Sequence, residues 1–231
     1  MPIRLICLDA DDTLWHNMRH FAVAEQALFA MLQPFADAHV ARETLDACEA
    51  RNLKLYGYGA KGFTLSMIET AVELAGESLS RDLVATILKA GQELLAHPVI
   101  LFDNVADTLA ALAERGRLVL VTKGDLLHQE AKLAASGLGD VFSGIEIVSD
   151  KKADTFRRLF ATYDVAPEQA VMAGDSMRSD VLPALEAGAW AAYIPQEGAW
   201  SHEQGKAPEA HPHFRQLAAL ADLPGWIDGI V

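Results

Sequence analysis

The strongest constraint on the fold is the regular alternation of strand-like and helix-like segments in the second half of the chain. The strand-like segments are short apolar runs at 118–121, 141–148, 170–173 and 190–194. Stretches with apolar residues at helical spacing separate or follow them, at 105–115, 126–135, 155–163, 181–187 and 214–220. This alternation predicts a parallel sheet covered by helices on both faces and joined by right-handed crossovers.

The first half of the chain follows a different pattern. Ile3–Leu8 is an almost wholly apolar run of strand length, which predicts a strand buried on both faces. From Asn17 to Ala96 the apolar spacing is helical throughout. We therefore expect an α/β core formed by residues 1–15 and 99–231, with a helical domain inserted at 16–98. Residues 196–213, rich in Gly, Pro and His, are expected to form an irregular loop.

Composition and charge exclude several classes of function. The 231 residues include 51% hydrophobic ones but no run of about 18 apolar residues, so we expect no membrane partner. The formal net charge of −13 argues against nucleic acid, whose backbone requires basic patches. Cys7 and Cys48 stand outside any recognisable motif, which favours a cytoplasmic location over a disulfide framework. The sequence makes no prediction of oligomeric state.

Polar side chains follow four of the predicted strands. They form four short segments: Asp9–Thr13, Thr122–Gly124, Asp150–Lys152 and Gly174–Asp180. Taken singly, each segment fits a turn, a helix cap or a solvated surface. Ligands of open parallel sheets bind outside the carboxyl ends of the strands, however, and these segments occur together at those ends. Their joint occurrence indicates a catalytic site.

The residue types suit phosphoryl transfer. Asp9 and Asp11 are two positions apart, so on an extended segment their side chains leave the same face. Crowded carboxylates repel one another unless a hard cation lies between them, and Mg²⁺ prefers oxygen ligands. A carboxylate beside such an ion can attack phosphorus and form a covalent aspartyl phosphate. Thr122, nearby backbone amides and a lysine after the third strand would stabilise the phosphoryl charge.

With these segments in order, the sequence resembles the haloacid dehalogenase superfamily, and within it the phosphatases with a helical cap inserted after the first strand. The matched segments are Ile3–Trp15, Leu118–Gly124, Ser149–Phe156 and Ala170–Asp180. The resemblance implies a Rossmann-like core and a magnesium-dependent phosphatase that acts on a small phosphorylated metabolite.

The resemblance also implies a role for each motif residue. Asp9 would be the nucleophile, and Asp11 the acid that protonates the leaving oxygen and then the base that activates water. Thr122 and a lysine after the third strand, Lys151 or Lys152, would hold the phosphoryl oxygens, and Lys123 beside Thr122 is a further candidate for phosphate binding. Asp175, Asp9 and the main-chain carbonyl of Asp11 would bind magnesium, and Asp180 would orient the water shell of the metal.

Two positions depart from the family pattern. Asp12 stands where many members have Gly, at a site that varies among close relatives. The family lysine is usually followed by Pro, whereas Lys151-Lys152-Ala153 offers two lysines. Because a helix is predicted to start near Asp154 with Phe156 on its buried face, we favour Lys151.

Three other functions share parts of this pattern. A dehalogenase of the same fold would need no metal, and its pattern lacks the carboxylate at Asp11. A sugar-phosphate mutase would keep every core residue and differ only in returning the phosphoryl group to the substrate. A phospho-accepting signalling module also uses an acidic pocket, Thr and Lys, but gives no reason for Asp11 or for the inserted domain.

Two weaker patterns lie in or beside the insertion. Gly57–Gly62 matches the dinucleotide-binding glycine pattern, but it lies between helical segments rather than after a strand. We interpret it as a joint between helices, with Tyr56, Tyr58 and Lys61 as candidates for facing the substrate. His16 and His20 have the i, i+4 spacing of a zinc pair but no evident third ligand, so we expect solvated or packed histidines.

Overall fold

The computed structural model describes residues 2–196, 198, 200 and 203–230. Its helices are α1 Met18–Leu32, α2 Ala38–Tyr56, α3 Ala60–Ala75, α4 Arg81–Leu95, α5 Val105–Ala113, α6 Leu126–Ser136, α7 Ala153–Thr162, α8 Leu182–Glu186 and α9 Leu223–Asp228. Its strands are β1 Leu5–Leu8, β2 Arg117–Lys123, β3 Gly144–Val148, β4 Ala170–Gly174, β5 Trp190–Tyr193 and β6 Phe214–Gln216.

The six strands form one sheet in the order β3-β2-β1-β4-β5-β6, and every neighbouring pair is parallel. The predicted α/β fold with a parallel sheet is confirmed. β1 is central, and its four residues are all buried because both faces are covered. Ile6 and Leu8 pack into the apolar cluster on one face, whereas Leu5 and Cys7 pack into the cluster on the other. This is the period-two alternation of a strand between two layers.

The predicted helix at 214–220 is wrong. Phe214–Gln216 is instead the edge strand β6, which pairs with β5, and the last α-helix begins later, at Leu223. Three residues of strand carry too little periodicity to be separated from a helix by pattern alone. The third strand also begins later than predicted, at Gly144, because Gly139–Val141 forms a 3₁₀ turn. Of the predicted irregular loop, residues 197, 199, 201 and 202 lie outside the described residues.

The chain divides into two compact units. One contains residues 1–18, 99–123 and 129–231, and the other contains residues 19–98 and 124–128. The second unit has its own apolar core, in which Leu28, Leu45, Met67 and Ile87 are fully buried. This unit begins at residue 19, whereas the sequence pattern placed the start of the helical domain at residue 16. It also includes residues 124–128, which the sequence pattern placed in the α/β core.

The glycine-rich segment of this helical unit is a helix-to-helix joint. Gly57 ends α2 with a φ of 73°, and Gly59 precedes α3 with a φ of 116°. Both values lie in the region that glycine adopts without strain. Because α2 rather than a strand precedes the segment, it lacks the βαβ context that a dinucleotide site requires.

Candidate active site

Four chain segments meet at the carboxyl edge of the sheet. Asp9 follows β1, Thr122 and Lys123 end β2, Lys151 follows β3 and Asp175 follows β4. The backbone amide of Asp9 donates to the carbonyl of Ala173 at 3.0 Å, which keeps the two central strand ends in register. Parallel pairing therefore brings together side chains that are up to 166 positions apart in the sequence.

Lys151 connects two of the carboxylates. Its ammonium group donates to Asp9 Oδ1, and to Asp180 Oδ1 at 2.6 Å, and the residue is only 2% exposed. Burial opposes its charge, but Asp180 and Asp9 outweigh burial and raise the pKa of Lys151 above its ordinary value. Lys152 points elsewhere: its side chain is 75% exposed and pairs with Asp150. Of the two candidate lysines, the structure brings Lys151 to Asp9.

Asp9, Asp175 and Asp180 form a tight acidic cluster. One carboxylate oxygen of each lies within 4.8 Å of the others, a spacing that suits shared coordination of a cation. Burial, partly offset by Lys151, raises the pKa of Asp9 to about 7. Burial and the neighbouring Asp9 and Asp180 raise the pKa of Asp175 well above its ordinary range. The buried carboxylates of Asp9 and Asp180 and the half-buried one of Asp175, beside the ammonium group of Lys151, therefore favour an additional positive charge.

The three carboxylates differ in their existing partners. Asp180 accepts at both oxygens, from Lys151 and from the backbone amide of Ser176 at 3.0 Å. Asp9 accepts from Lys151 and from Thr13 Oγ1 at 3.3 Å. Within the part of the chain that the structure describes, no hydrogen bond reaches the carboxylate of Asp175. Of the three carboxylates, Asp175 therefore has the most oxygen lone pairs available to bind a cation.

A tight turn after β1 holds the nucleophile candidate. Asp12 has a φ of 58°, and its carboxylate accepts from the backbone amides of Asn17 and Met18, each at 2.9 Å. Asp tolerates this left-handed conformation better than most residues because its short polar side chain can bond to nearby backbone. This explains how Asp12 can stand at a position where glycine is usual. Thr13 Oγ1 also accepts from the amide of Asp175 at 3.2 Å, which links the ends of β1 and β4.

The carboxylate of Asp11 lies outside the acidic cluster and has its own partners. Lys132 Nζ donates to its two oxygens at 2.5 and 2.6 Å, and Trp15 Nε1 donates to Oδ1 at 2.7 Å. Gln129 Nε2 donates to Oδ2 at 3.1 Å. Burial raises the pKa of Asp11, but Lys132 and these hydrogen bonds outweigh burial, so the net pKa is lowered.

The end of β2 contributes two polar residues with different surroundings. Thr122 is buried, and its hydroxyl accepts from Gln129 Nε2 at 2.5 Å. Gln129 therefore contacts both Thr122 and Asp11. Lys123 Nζ instead donates to Ser179 Oγ at 2.6 Å and to Glu203 at 2.5 Å. The charge of Lys123 is thus paired with Glu203 rather than with the acidic cluster.

Sequence reasoning missed several residues around this site. Gln129 and Lys132 are three positions apart on α6, a spacing that places both on one helix face, and this was a usable signal. Glu203 lies in the long segment between β5 and β6, where no periodicity marks it. Ser176 and Ser179 were visible within the fourth motif but had no predicted role.

Comparisons with known proteins identify the family of the chain. A family model described as haloacid dehalogenase-like hydrolase matches residues 3–188. The chain belongs to that family. The predicted resemblance is confirmed, and the protein is an enzyme of the hydrolase class. A solved haloacid dehalogenase-like hydrolase from Xanthomonas campestris is 38% identical, with a TM-score of 0.88 over 99% of this chain and 91% of that one.

Curated relatives of this hydrolase are phosphatases. A phosphoserine phosphatase from Thermus thermophilus is 30% identical over 92% of this chain and 95% of its own length. An N-acylneuraminate-9-phosphatase from mouse is 28% identical over 57% of this chain, and the match spans about half of the mouse protein, 54%. Among the described residues, no helix is both long and apolar enough to cross a bilayer.

Gly174 allows the close approach of Asp180. A Cβ atom at position 174 would lie 2.2 Å from Asp180 Oδ2 and 3.0 Å from its Cβ. We expect Gly174→Ala to displace Asp180 and to lower the free energy of unfolding by about 1–3 kcal/mol, because inserted atoms strain a packed site. Urea unfolding measures this loss. Gly225→Ala is the matched control, since a Cβ there meets nothing within 4 Å; equal stability of the two variants would contradict the prediction.

The ion pair between Lys132 and Asp11 has a pH-dependent effect on stability. Because the pKa of Asp11 is lowered in the folded protein, its stabilising contribution is present above the unfolded pKa and is lost as pH falls through the folded pKa. We expect Lys132→Met to cost about 2 kcal/mol at pH 7, the range of a hydrogen bond to a charged group. The difference from wild type should shrink below about pH 4.

Urea unfolding of both proteins between pH 3 and pH 7 measures this difference. Lys89→Met is the control, because Lys89 pairs with Glu93 at 3.7 Å on an exposed helix face. Exposed pairs of this kind contribute about 0–1 kcal/mol. A Lys132→Met deficit that stays constant across the pH range would contradict the role of the Asp11 carboxylate.

Proposed function

We propose that this hydrolase is a magnesium-dependent phosphatase that cleaves small phosphorylated metabolites through an aspartyl-phosphate intermediate on Asp9. The observation that carries the proposal is the environment of Asp9. Its carboxylate is buried at the carboxyl edge of the sheet, accepts from Lys151 and Thr13, and lies in one cluster with Asp175 and Asp180. These are the cationic and acidic groups that phosphoryl transfer to a carboxylate needs.

The donor set fits a divalent metal ion. Asp9, Asp175 and Asp180 supply only oxygen, which Mg²⁺ prefers, and Asp175 has most of its coordination capacity left. We assign direct binding to Asp9, Asp175 and the main-chain carbonyl of Asp11. Asp180, both of whose oxygens already accept hydrogen bonds, would orient the water shell of the metal. When bound, the ion would neutralise the crowded carboxylates and the phosphoryl oxygens.

The proposed reaction has two displacements. In the first, an oxygen of Asp9 forms a bond to phosphorus while the ester P–O bond breaks. Asp11, whose pKa is lowered beside Lys132, must first take up a proton as the substrate binds; it gives this proton to the leaving oxygen, and the proton it gains in the second step is released to solvent. In the second, Asp11 takes a proton from water, whose oxygen attacks phosphorus and breaks the bond to Asp9. The products are the alcohol and inorganic phosphate, and Asp9 and Asp11 return to their starting states.

The phosphoryl oxygens need fixed donors in both steps. Lys151 is held beside Asp9 by Asp180, so its charge is already in position when the phosphoryl group arrives. Thr122 supplies a hydroxyl from the neighbouring strand end, and Gln129 limits its rotation. Lys123 remains a candidate for a weaker, indirect contribution, because its ammonium is taken up by Glu203.

The names of the relatives and the charge of the chain support the proposed substrate class. The curated relatives act, by name, on phosphoserine, N-acylneuraminate 9-phosphate and phosphoglycolate. All three are small phosphate monoesters. With a net charge of −13, the protein would hold such an anion through local donors and the metal rather than through its overall field.

Replacement of the nucleophile tests the reaction. We expect Asp9→Asn to lower phosphate release by at least about 10⁴-fold, because an amide cannot form the phosphoenzyme. Phosphate release from these three esters and from p-nitrophenyl phosphate measures the loss. Asp228→Asn is the control, since it also removes a paired carboxylate, one that is bonded to Arg115. Turnover by Asp9→Asn within tenfold of wild type would overturn the proposal.

Metal binding gives an independent test. We expect 5 mM Mg²⁺ to raise the melting temperature of the wild-type protein, because a ligand that binds only the folded state stabilises it. Asp175→Asn should lose most of this increase, since it removes a carboxylate that accepts no hydrogen bond from the residues that the structure describes. Differential scanning calorimetry with and without a chelator measures both. An equal increase in the two proteins would exclude Asp175 as a metal ligand.

A further inference from the structure

Glu203 is the centre of a hydrogen-bond network beside the acidic cluster. Its carboxylate accepts from Lys123 Nζ and from Ser179 Oγ, each at 2.5 Å, and also from Ser176 Oγ. Lys123 donates in addition to Ser179 Oγ at 2.6 Å. The side chain of Glu203 is only 15% exposed. Burial raises the pKa of Glu203, but Lys123 and the two hydroxyls outweigh burial and lower it.

The two serines belong to the turn that carries the metal-ligand candidates. Ser176 directly follows Asp175 and caps the π-helix Met177–Val181, and its hydroxyl accepts from the amide of Ser179 at 2.9 Å. The amide of Ser176 donates to Asp180 Oδ2 at 3.0 Å. The hydroxyls held by Glu203 therefore lie one residue from Asp175 and one residue from Asp180.

Glu203 also balances a charge at the end of β2. Lys123 is the residue after Thr122, and its side chain is only 11% exposed. A cation with so little access to water needs a partner, because desolvation disfavours its charged form. Glu203 supplies that partner from a segment that is distant in the sequence.

From this network we infer that Glu203 is a positioning residue of the proposed phosphatase site: it fixes the Ser176–Asp180 turn and thereby sets the positions of Asp175 and Asp180 for the metal. The inference rests on the proposed function. Groups that orient metal ligands without touching the metal change its affinity by about 10–100-fold when they are removed. Glu203 acts through two serines, so we expect the lower end of that range.

The competing explanation is that Glu203 only compensates the charge of Lys123. Glu203→Met alone and Glu203→Met combined with Lys123→Met separate the two roles. The double variant removes both charges and leaves no buried ion, so its melting temperature should recover toward wild type. If Glu203 positions the turn, the double variant should still bind Mg²⁺ about tenfold more weakly than wild type. Titration calorimetry measures this Kd, and scanning calorimetry measures the melting temperature.

Ser179→Ala supplies a second test that changes no charge. It removes the hydroxyl shared by Lys123 and Glu203, and we expect it to weaken Mg²⁺ binding about threefold or more, because it breaks part of the same orienting network. Asp154→Asn, which removes a carboxylate from an exposed pair with Arg157, should leave the Kd unchanged. Wild-type affinity in both Ser179→Ala and the double variant would overturn the inference. Failure of the wild-type protein to bind Mg²⁺ would instead remove the proposed metal site, and the inference with it.

Discussion

The site depends on one buried cation. Lys151 lies at the carboxyl edge of the sheet, where its ammonium group joins Asp9 and Asp180. Without it, the crowded carboxylates of Asp9, Asp175 and Asp180 would face one another without compensation, which the burial of Asp9 and Asp180 makes costly. The ion pairs with Lys151 offset part of this cost. The raised pKa values of Asp9 and Asp175, caused first by burial and then by the neighbouring carboxylates, indicate that part remains. That remainder is the physical basis for expecting a metal ion.

The parallel sheet makes this concentration of charge possible. The central strand β1 is buried on both faces, so its end can emerge only at an edge of the sheet, beside the ends of β2 and β4. Packing of the apolar strand residues supplies the stability, whereas the loops that follow the strands supply the chemistry. Gly174 is the last residue of β4 and contacts a residue of the following loop, since a methyl group at position 174 would collide with Asp180.

Around the acidic cluster, several residues act on those that would do the chemistry. Lys132 and Gln129 hold the carboxylate of Asp11, Gln129 also holds Thr122, and Glu203 holds the turn between Asp175 and Asp180. Most of these contacts are charge-assisted hydrogen bonds, which are shorter and stronger than neutral ones. Reactive groups supported in this way keep their geometry without contributions from the substrate.

The sequence by itself determined the parallel α/β architecture, the family and the set of residues that follow the strands, because apolar periodicity and strand-end position are local properties of the chain. It did not determine the edge strand β6, which is too short to have a period. The tertiary structure decided that Lys151 rather than Lys152 reaches Asp9, that Lys123 pairs with Glu203, and that Asp11 is held by α6. Each of these outcomes depends on contacts between distant segments, which form only when the sheet brings the segments together. The helix pattern after Lys151 favoured that lysine, and the spacing of Gln129 and Lys132 places both on one face of α6, but neither local pattern identifies the partner that each side chain contacts.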